Sequence, residues 1–189
     1  MFDRTFIAPE FHLKQGRSMC FLEDAGWGKL IKQCLNNGEF VSEDFLDAAV
    51  YLIKEEWNPA PFPDKIISIP GKNAVIINNF CQRLSEKINI PYIKECIEII
   101  NQKPRMNTME NSHQKVINGQ DKWNVACNDG SENILLIDDF VDSRWTFTIV
   151  GGMLRKFGYK LIGPEIGDMA CGEYGEGKMS DPLTITTEI

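Results

Sequence analysis

The order of apolar patterns along the chain predicts an α/β fold, a parallel sheet flanked by helices. Two short apolar runs, residues 65–69 (KIISI) and 134–137 (ILLI), are each followed by a segment whose apolar residues recur at helical spacing. Such alternation of strand and helix is typical of parallel sheets that helices cover on both faces. Residues 65–189 are therefore expected to form an α/β core, and residues 1–64 an N-terminal helical region.

Two amphipathic helices are predicted before the core. The first has apolar residues at helical spacing from 27 to 35, and Asn36–Gly38 supplies its end. The second follows Ser42, a residue type that caps helix N-termini. Three prolines in residues 57–64 (WNPAPFPD) exclude a continuing helix and predict an extended connector. The first twenty residues show no period and are expected to lie as an irregular arm over the domain.

Further strands and helices are predicted within the core. Helical spacing between 76 and 88 predicts a helix after the first strand, and residues 89–95 (NIPYIKE) read as a second short strand. Residues 122–125 (KWNV) are expected to pair as another strand. A helix closed by Gly158 is expected after the ILLI strand, and residues 159–171 (YKLIGPEIGDMAC) as the last strand.

Length and charge restrict the classes of function. A chain of 189 residues without repeats or linkers fits one domain with its own core, and is too short for a helicase motor. The formal net charge of −7 disfavours an extended DNA or RNA surface, because such surfaces gain most of their affinity by neutralising phosphates. No apolar run approaches the roughly 18 residues of a membrane span, and the N-terminus lacks a leader-peptide pattern. We therefore expect a cytoplasmic protein without membrane contact.

The cysteines and histidines give no indication of a metal or redox site. Six cysteines are widely spaced without a C-x-x-C pair, which argues against a zinc knuckle or a thioredoxin-like motif. Reduced, mostly buried thiols are expected rather than a disulfide framework. The two histidines, His12 and His113, lie too far apart in sequence to suggest metal ligands.

An acidic turn rich in hydroxyl groups follows the ILLI strand, where residues 134–148 read ILLIDDFVDSRWTFT. Ligands of open parallel sheets bind just beyond the carboxyl ends of strands, which is the position of Asp138 and Asp139. The next helix is expected to start within residues 142–146, where unpaired N–H groups and the helix dipole attract anions. Two acids can accept hydrogen bonds from a vicinal diol while the helix start holds a phosphate, and ribose 5-phosphate presents both groups.

A purely structural role is the competing interpretation of this turn. Asp142 or Ser143 would then cap the helix, contributing on the order of 1 kcal/mol, and Asp138 and Asp139 would only terminate the strand. For any one residue this interpretation is the better supported. The structural interpretation is weaker for the turn as a whole, because ending a strand requires neither two adjacent acids nor three hydroxyl groups after them.

The turn resembles the phosphoribosyl-diphosphate signature of type I phosphoribosyltransferases, which is a hydrophobic strand, two acids and a loop rich in Thr, Ser and Gly. Five segments are similar, in order, to the phosphoribosyltransferase-like region at the C-terminal end of some bacterial RecQ-type DNA helicases; they are residues 16–33, 47–66, 68–73, 102–119 and 138–148. The resemblance covers about residues 14–160. It implies a type I phosphoribosyltransferase-like (Rossmann-like) fold in which residues 1–64 form the hood.

The resemblance implies roles for the residues of the acidic turn. Asp138 and Asp139 would bind the ribose 2- and 3-hydroxyls. Asp142 would also act near the base as a general acid or base. The loop that binds the 5-phosphate would comprise Asp142, Ser143, Arg144, Trp145 and Thr146.

Two further loops acquire roles from the same resemblance. Gly71 and Lys72, which follow the first strand, would grip pyrophosphate. The long polar segment 101–119 matches the mobile loop that closes over the active site, and Lys103 and Arg105 would reach phosphate oxygens from it. Magnesium would be carried on the hydroxyls and pyrophosphate of the substrate, with no direct protein ligand.

The phosphate loop departs from the family pattern at Arg144, which stands where glycine is usual. A left-handed backbone there would cost a non-glycine residue roughly 1–2 kcal/mol. Three alternatives follow: the loop has another shape, the guanidinium adds a bidentate phosphate contact, or it plugs an empty pocket. Trp145 stacks on the ligand or hood, or serves as a buried anchor, and the second is favoured.

Two functions remain open on this sequence. One is an enzyme that transfers a 5-phosphoribosyl group from phosphoribosyl diphosphate to a nitrogenous base, with release of pyrophosphate. The other is a non-catalytic module that binds phosphoribosyl diphosphate or a nucleoside 5′-monophosphate and acts on a partner such as a DNA helicase or repair protein. The base, the partner and the oligomeric state are left open, with a homodimer as one alternative.

Overall fold

The structure, a computed structural model, describes residues 16–21, 24–102, 122–127, 133–141, 145–161, 165–168 and 174–178, with backbone alone at Trp145 and beyond residue 159. These residues form a mixed α/β arrangement of helices and short strands. No helix among them has the length and apolar character that crossing a membrane requires.

Two helices precede the sheet, as predicted. Helix α1 (Trp27–Asn37) ends where Gly38 takes a left-handed conformation with φ 72°. Helix α2 (Glu43–Tyr51) begins after Ser42, whose side chain accepts a hydrogen bond from the backbone N–H of Phe45 at 3.3 Å. A π-helical turn (Leu52–Trp57) continues α2.

A parallel three-stranded sheet lies at the centre of the described chain, in the order β1 (Lys65–Ser68), β4 (Asn133–Ile137) and β5 (Lys160–Leu161). The register places Lys65 opposite Ile134 and Ser68 opposite Ile137. The expectation of a central parallel strand at ILLI is confirmed. On its other edge β1 makes a single parallel bridge, between Ile66 and Tyr92.

Helices and a small strand pair cover the two faces of this sheet. Ile66 and Leu135 belong to one buried cluster, which they share with α2 and with α3 (Ala74–Ile88). Ile67 and Ile134 belong to the other cluster, on the side of α4 (Trp145–Lys156) and of the antiparallel strands β2 (Ile97–Ile99) and β3 (Trp123–Val125). Consecutive strand residues therefore face opposite layers, as expected for strands buried on both sides.

Two strand predictions are wrong in detail. Residues 89–95 form only the bridge at Tyr92, because Pro91 has no N–H for a ladder and Glu95 has a positive φ of 64°; pairing resumes antiparallel in β2. Residues 159–171 do not form one strand. The chain makes β5 and then β6 (Glu165–Asp168), which pairs antiparallel with β7 (Tyr174–Lys178), and the sequence Gly163-Pro164 separates β5 from β6.

The expectation that the thiols are reduced is wrong for one pair, since Cys96 and Cys127 form a disulfide. These residues flank β2 and β3, where the N–H of Ala126 donates to the carbonyl of Cys96 at 2.8 Å. Antiparallel pairing thus places their Cα atoms 4.8 Å apart, within the range that a disulfide spans. Cys81 is a buried free thiol, and Cys20 and Cys34 are half-buried free thiols.

Loss of this disulfide should lower the free energy of unfolding by roughly 3–4 kcal/mol, because it closes a loop of about 30 residues in the unfolded chain. Urea unfolding of the oxidised protein, the dithiothreitol-treated protein and the Cys127→Ser variant measures the loss. Cys34→Ser is the matched control and should leave the unfolding midpoint unchanged. An oxidised protein with the same midpoint as the reduced one would contradict the assignment.

Candidate functional site

The carboxyl ends of β1 and β4 lie side by side and open onto one edge of the sheet. The backbone N–H of Ile69 donates to the carbonyl of Ile137 at 2.8 Å, which extends their pairing one residue beyond β1. After β1 the chain runs through α3 to the Tyr92 segment on one side, whereas after β4 it runs through α4 to β5 on the other. The chain connections thus diverge at the boundary between β1 and β4, and in open parallel sheets such a boundary is the usual position of a ligand crevice.

The acid pair lies at this edge and is bonded to the loop opposite. Asp138 and Asp139 are both half-buried. The backbone N–H of Asp139 donates to Oδ1 of Asp138 at 2.9 Å, and Nδ2 of Asn73 donates to Oδ2 of Asp139 at 2.6 Å. The second contact joins positions 66 residues apart in sequence and brings the loop after β1 to the loop after β4.

Burial of the Asp138 carboxyl raises its pKa from 3.8 to about 8, and the charge of neighbouring Asp139 and a side-chain hydrogen bond with it act in the same direction. The backbone N–H of Asp139 and the positive charge of Lys122 oppose this rise. Asp138 is therefore mainly protonated at neutral pH. A protonated carboxyl can both donate and accept hydrogen bonds, so the pair offers two kinds of contact to a polyhydroxyl ligand.

Gly71 and Lys72 lie on the same loop as Asn73, and both are exposed. A Cβ added at Gly71 would meet no atom within 4 Å, so packing alone does not require glycine there. The loop is thus open to solvent beside the acid pair, where a ligand's anionic group could approach the backbone.

The phosphate loop is described only in part. Helix α4 begins at Trp145, consistent with a helix start inside residues 142–146, and Thr146 in its first turn is half-buried. Five predicted site residues lie outside the described residues: Asp142, Ser143, Arg144, Lys103 and Arg105. In the described part of the chain, no group of three or more His, Cys, Asp or Glu side chains is placed to hold a metal.

Sequence reasoning missed two residues that contact or influence the acid pair. Asn73 bonds to Asp139, and Lys122 acts on Asp138 while its ammonium lies 4.5 Å from the ring centroid of Trp123. Asn73 directly follows the predicted pyrophosphate residues, and this position is the one indication in the sequence that it could lie at the site. No such indication exists for Lys122, because strand pairing alone brings it near the acidic turn.

A second concave surface lies away from the acid pair, between α1 and α2. It is a cavity of about 150 Å³ lined by Trp27, Phe40, Phe45 and other mainly apolar side chains. Without charged groups it offers shape and apolar area but no acid or base. Of these two surfaces, the edge of the sheet is the one that carries carboxyl groups.

Comparison of the chain with protein-family models, with curated proteins and with solved structures finds no match in any of the three.

Stability should fall as the pH rises from about 5 to 8, because the folded protein keeps a proton on Asp138 that the unfolded chain has already lost. The slope approaches roughly 1.4 kcal/mol per pH unit at most. Asp138→Asn mimics the neutral carboxyl and should flatten this dependence, as measured by urea unfolding at several pH values.

Asp139→Asn is the matched comparison for this prediction. It removes the neighbouring charge but not the burial, which is the larger cause of the raised pKa. The slope should therefore shrink without disappearing. Parallel curves for the wild type and Asp138→Asn between pH 5 and 8 would show that Asp138 ionises normally.

Proposed function

We propose that the protein has a type I phosphoribosyltransferase-like fold and binds phosphoribosyl diphosphate or a nucleoside 5′-monophosphate at the crevice between β1 and β4. The observation that carries the proposal is the hydrogen bond from Asn73 to Asp139 at 2.6 Å. It brings the loop proposed for pyrophosphate and the acids proposed for ribose to one edge of a parallel sheet. A single ligand with a diol between two anionic groups matches that arrangement.

The ribose hydroxyls would bind to the acid pair. Each hydroxyl can donate to a carboxylate oxygen, and protonated Asp138 can also donate to a ligand oxygen. Magnesium carried by the ligand would offset the charge of the two acids and favour loss of the Asp138 proton. Binding with magnesium should therefore be more favourable above neutral pH than below it.

The phosphoryl ends of the ligand would bind on either side of the diol. The 5-phosphate would sit at the start of α4, where Thr146 and its neighbours Asp142, Ser143, Arg144 and Trp145 are proposed to hold it. The pyrophosphate would bind at Gly71 and Lys72, with Lys103 and Arg105 reaching it from the long polar segment.

As an enzyme, the protein would transfer the 5-phosphoribosyl group. The bond from ribose C1 to pyrophosphate oxygen breaks as the bond from C1 to a nitrogen of the base forms, and pyrophosphate leaves. Asp142 is proposed to act near the base as general acid or base. Exclusion of water would protect an oxocarbenium-like transition state from hydrolysis.

A sensing module is the second candidate, and Arg144 is the observation that favours it. A guanidinium that fills the phosphate pocket would oppose turnover without abolishing binding elsewhere in the crevice. The module would respond to phosphoribosyl diphosphate or a nucleotide by acting on a protein such as a DNA helicase or repair protein. The net charge of −7 disfavours direct DNA contact in this role.

Calorimetry with phosphoribosyl diphosphate and magnesium tests the ligand assignment. The variant that combines Asp138→Asn and Asp139→Asn should lose at least about tenfold in affinity, since hydrogen bonds to charged groups contribute roughly 1.5–3 kcal/mol. Glu98→Gln, at an exposed carboxylate on β2, is the control for loss of a carboxylate away from the acid pair and should bind as the wild type does. Unchanged affinity in the double variant would refute the diol site. Pyrophosphate release across a panel of bases separates the enzyme from the sensor.

The Arg144→Gly variant distinguishes the three interpretations of an arginine at the position of the phosphate loop where glycine is usual. New or increased pyrophosphate release would identify the guanidinium as a plug, because its removal opens the phosphate pocket. Affinity for phosphoribosyl diphosphate reduced by about tenfold would instead identify a direct phosphate contact. No change in either measurement would show that the guanidinium neither blocks nor binds, leaving a loop of another shape.

A further inference from the structure

Asn73 occupies the N-cap position of α3 but does not cap it. An asparagine there ordinarily accepts a hydrogen bond from a backbone N–H of the first turn. The Asn73 side chain makes no such bond; its backbone carbonyl accepts from the N–H groups of Ile76 and Ile77 at 3.0 and 3.1 Å, as the carbonyl of an N-cap residue ordinarily does. Its amide is directed to Asp139, 2.6 Å away. The Asn73 side chain therefore bonds to the loop after β4 and not to its own helix.

The loop that carries Asn73 has little other support from the β4 side. Backbone pairing stops at Ile69, Pro70 has no N–H to donate, and Gly71 and Lys72 are exposed. The bond from the Ala74 N–H to the Gly71 carbonyl at 3.3 Å is local. Among the described residues, Asn73 therefore donates the side-chain hydrogen bond that links this loop to the acid pair.

An amide donor holds a carboxylate without neutralising it. With Oδ2 bonded to Asn73, rotation of the Asp139 carboxylate is restricted, and its other oxygen keeps a defined position for a further donor. A lysine at position 73 would make a comparable contact but would cancel the negative charge that ligand hydroxyls or a ligand-borne cation require. Asparagine therefore orients the Asp139 carboxylate and leaves its negative charge in place.

We propose that Asn73 is a positioning residue that fixes the Asp139 carboxylate and thereby joins the loops after β1 and β4 into one preformed site. A ligand that engages both loops then binds without first ordering one against the other. The positioning contact itself is independent of any ligand, whereas its effect on phosphoribosyl diphosphate rests on the proposed function. The two parts can therefore fail separately.

The substitution Asn73→Asp separates positioning from helix capping. Aspartate caps helices about as well as asparagine, so a capping role leaves stability unchanged. A positioning role predicts that a third carboxylate, facing Asp138 and Asp139 with Lys72 and Lys122 as the neighbouring cations, weakens the fold as it ionises. As the pH falls toward 4 the new carboxyl is increasingly protonated and can donate as the amide does; near pH 8 it is ionised and repels Asp139.

Urea unfolding of the full chain between pH 4 and 8 provides the first readout. Asn73→Asp should match the wild type at low pH and lose roughly tenfold or more in the folding equilibrium constant at pH 8, relative to the wild type at that pH. Asn73→Ala should show a similar loss at both ends of the range. Ser42→Asp, at the true N-cap of α2, is the matched control and should be nearly neutral throughout. An Asn73→Asp variant as stable as the wild type at pH 8 would overturn the positioning role.

Calorimetry at pH 7.5 provides the second readout, with phosphoribosyl diphosphate and magnesium, and with ribose 5-phosphate, which lacks the pyrophosphate. Asn73→Ala should lose roughly tenfold more affinity for the first ligand than for the second, because the first spans both loops. Equal losses, or none, would overturn the joining of the two loops. A wild-type protein that binds neither ligand would overturn the proposed function, while the pH dependence of Asn73→Asp would still decide whether Asn73 positions Asp139.

Discussion

Parallel pairing of β1 with β4 is the constraint on which the rest of the described structure depends. Its register fixes which residues face each layer, because consecutive positions such as Ile66 and Ile67 are buried in different clusters. A shift of one residue would send both sets to the wrong face. The same register sets the ends of the strands level, so that the loops after Ser68 and Ile137 leave from one edge. The candidate site is a consequence of that alignment.

The acid pair illustrates how the site limits its own electrostatic cost. Two adjacent carboxylates in a half-buried position repel one another, and the raised pKa of Asp138, about 8, removes one of the two charges at neutral pH. Asn73 then bonds to the remaining acid, Asp139, without cancelling its charge. The positive charge of Lys122 lowers the cost of ionising Asp138. The resting site thus keeps a hydrogen-bond donor and a negative charge side by side.

The features that the sequence predicted well are those encoded by neighbouring residues. Gly38 ends α1 and Ser42 starts α2 because each acts on backbone groups a few positions away. The ILLI strand is predictable because burial on both faces leaves a continuous apolar run. The acid pair could be placed at a strand end on the same local grounds.

The features that the sequence did not predict all require pairing between distant segments. The disulfide of Cys96 and Cys127 depends on β2 meeting β3, and composition carries no trace of that pairing. The approach of Lys122 to Asp138 has the same origin. The bond from Asn73 to Asp139 depends on the register of β1 against β4, which alternation alone does not specify.

The packing of α2 against α3 holds in place the helix at whose N-terminal end Asn73 lies. Two features join these helices: ion pairs, of Glu43 with Arg83 and Lys87 and of Asp47 with Lys87, and an apolar cluster in which Leu46 and Leu84 are fully buried. The ion pairs are substantially exposed, so solvent screens them and weakens their contribution, whereas each buried leucine contributes roughly 1.5–3 kcal/mol. Apolar burial therefore dominates. Since this cluster also contains residues of β1 and β4, α2 is a layer of the core that supports the helix from which Asn73 reaches Asp139.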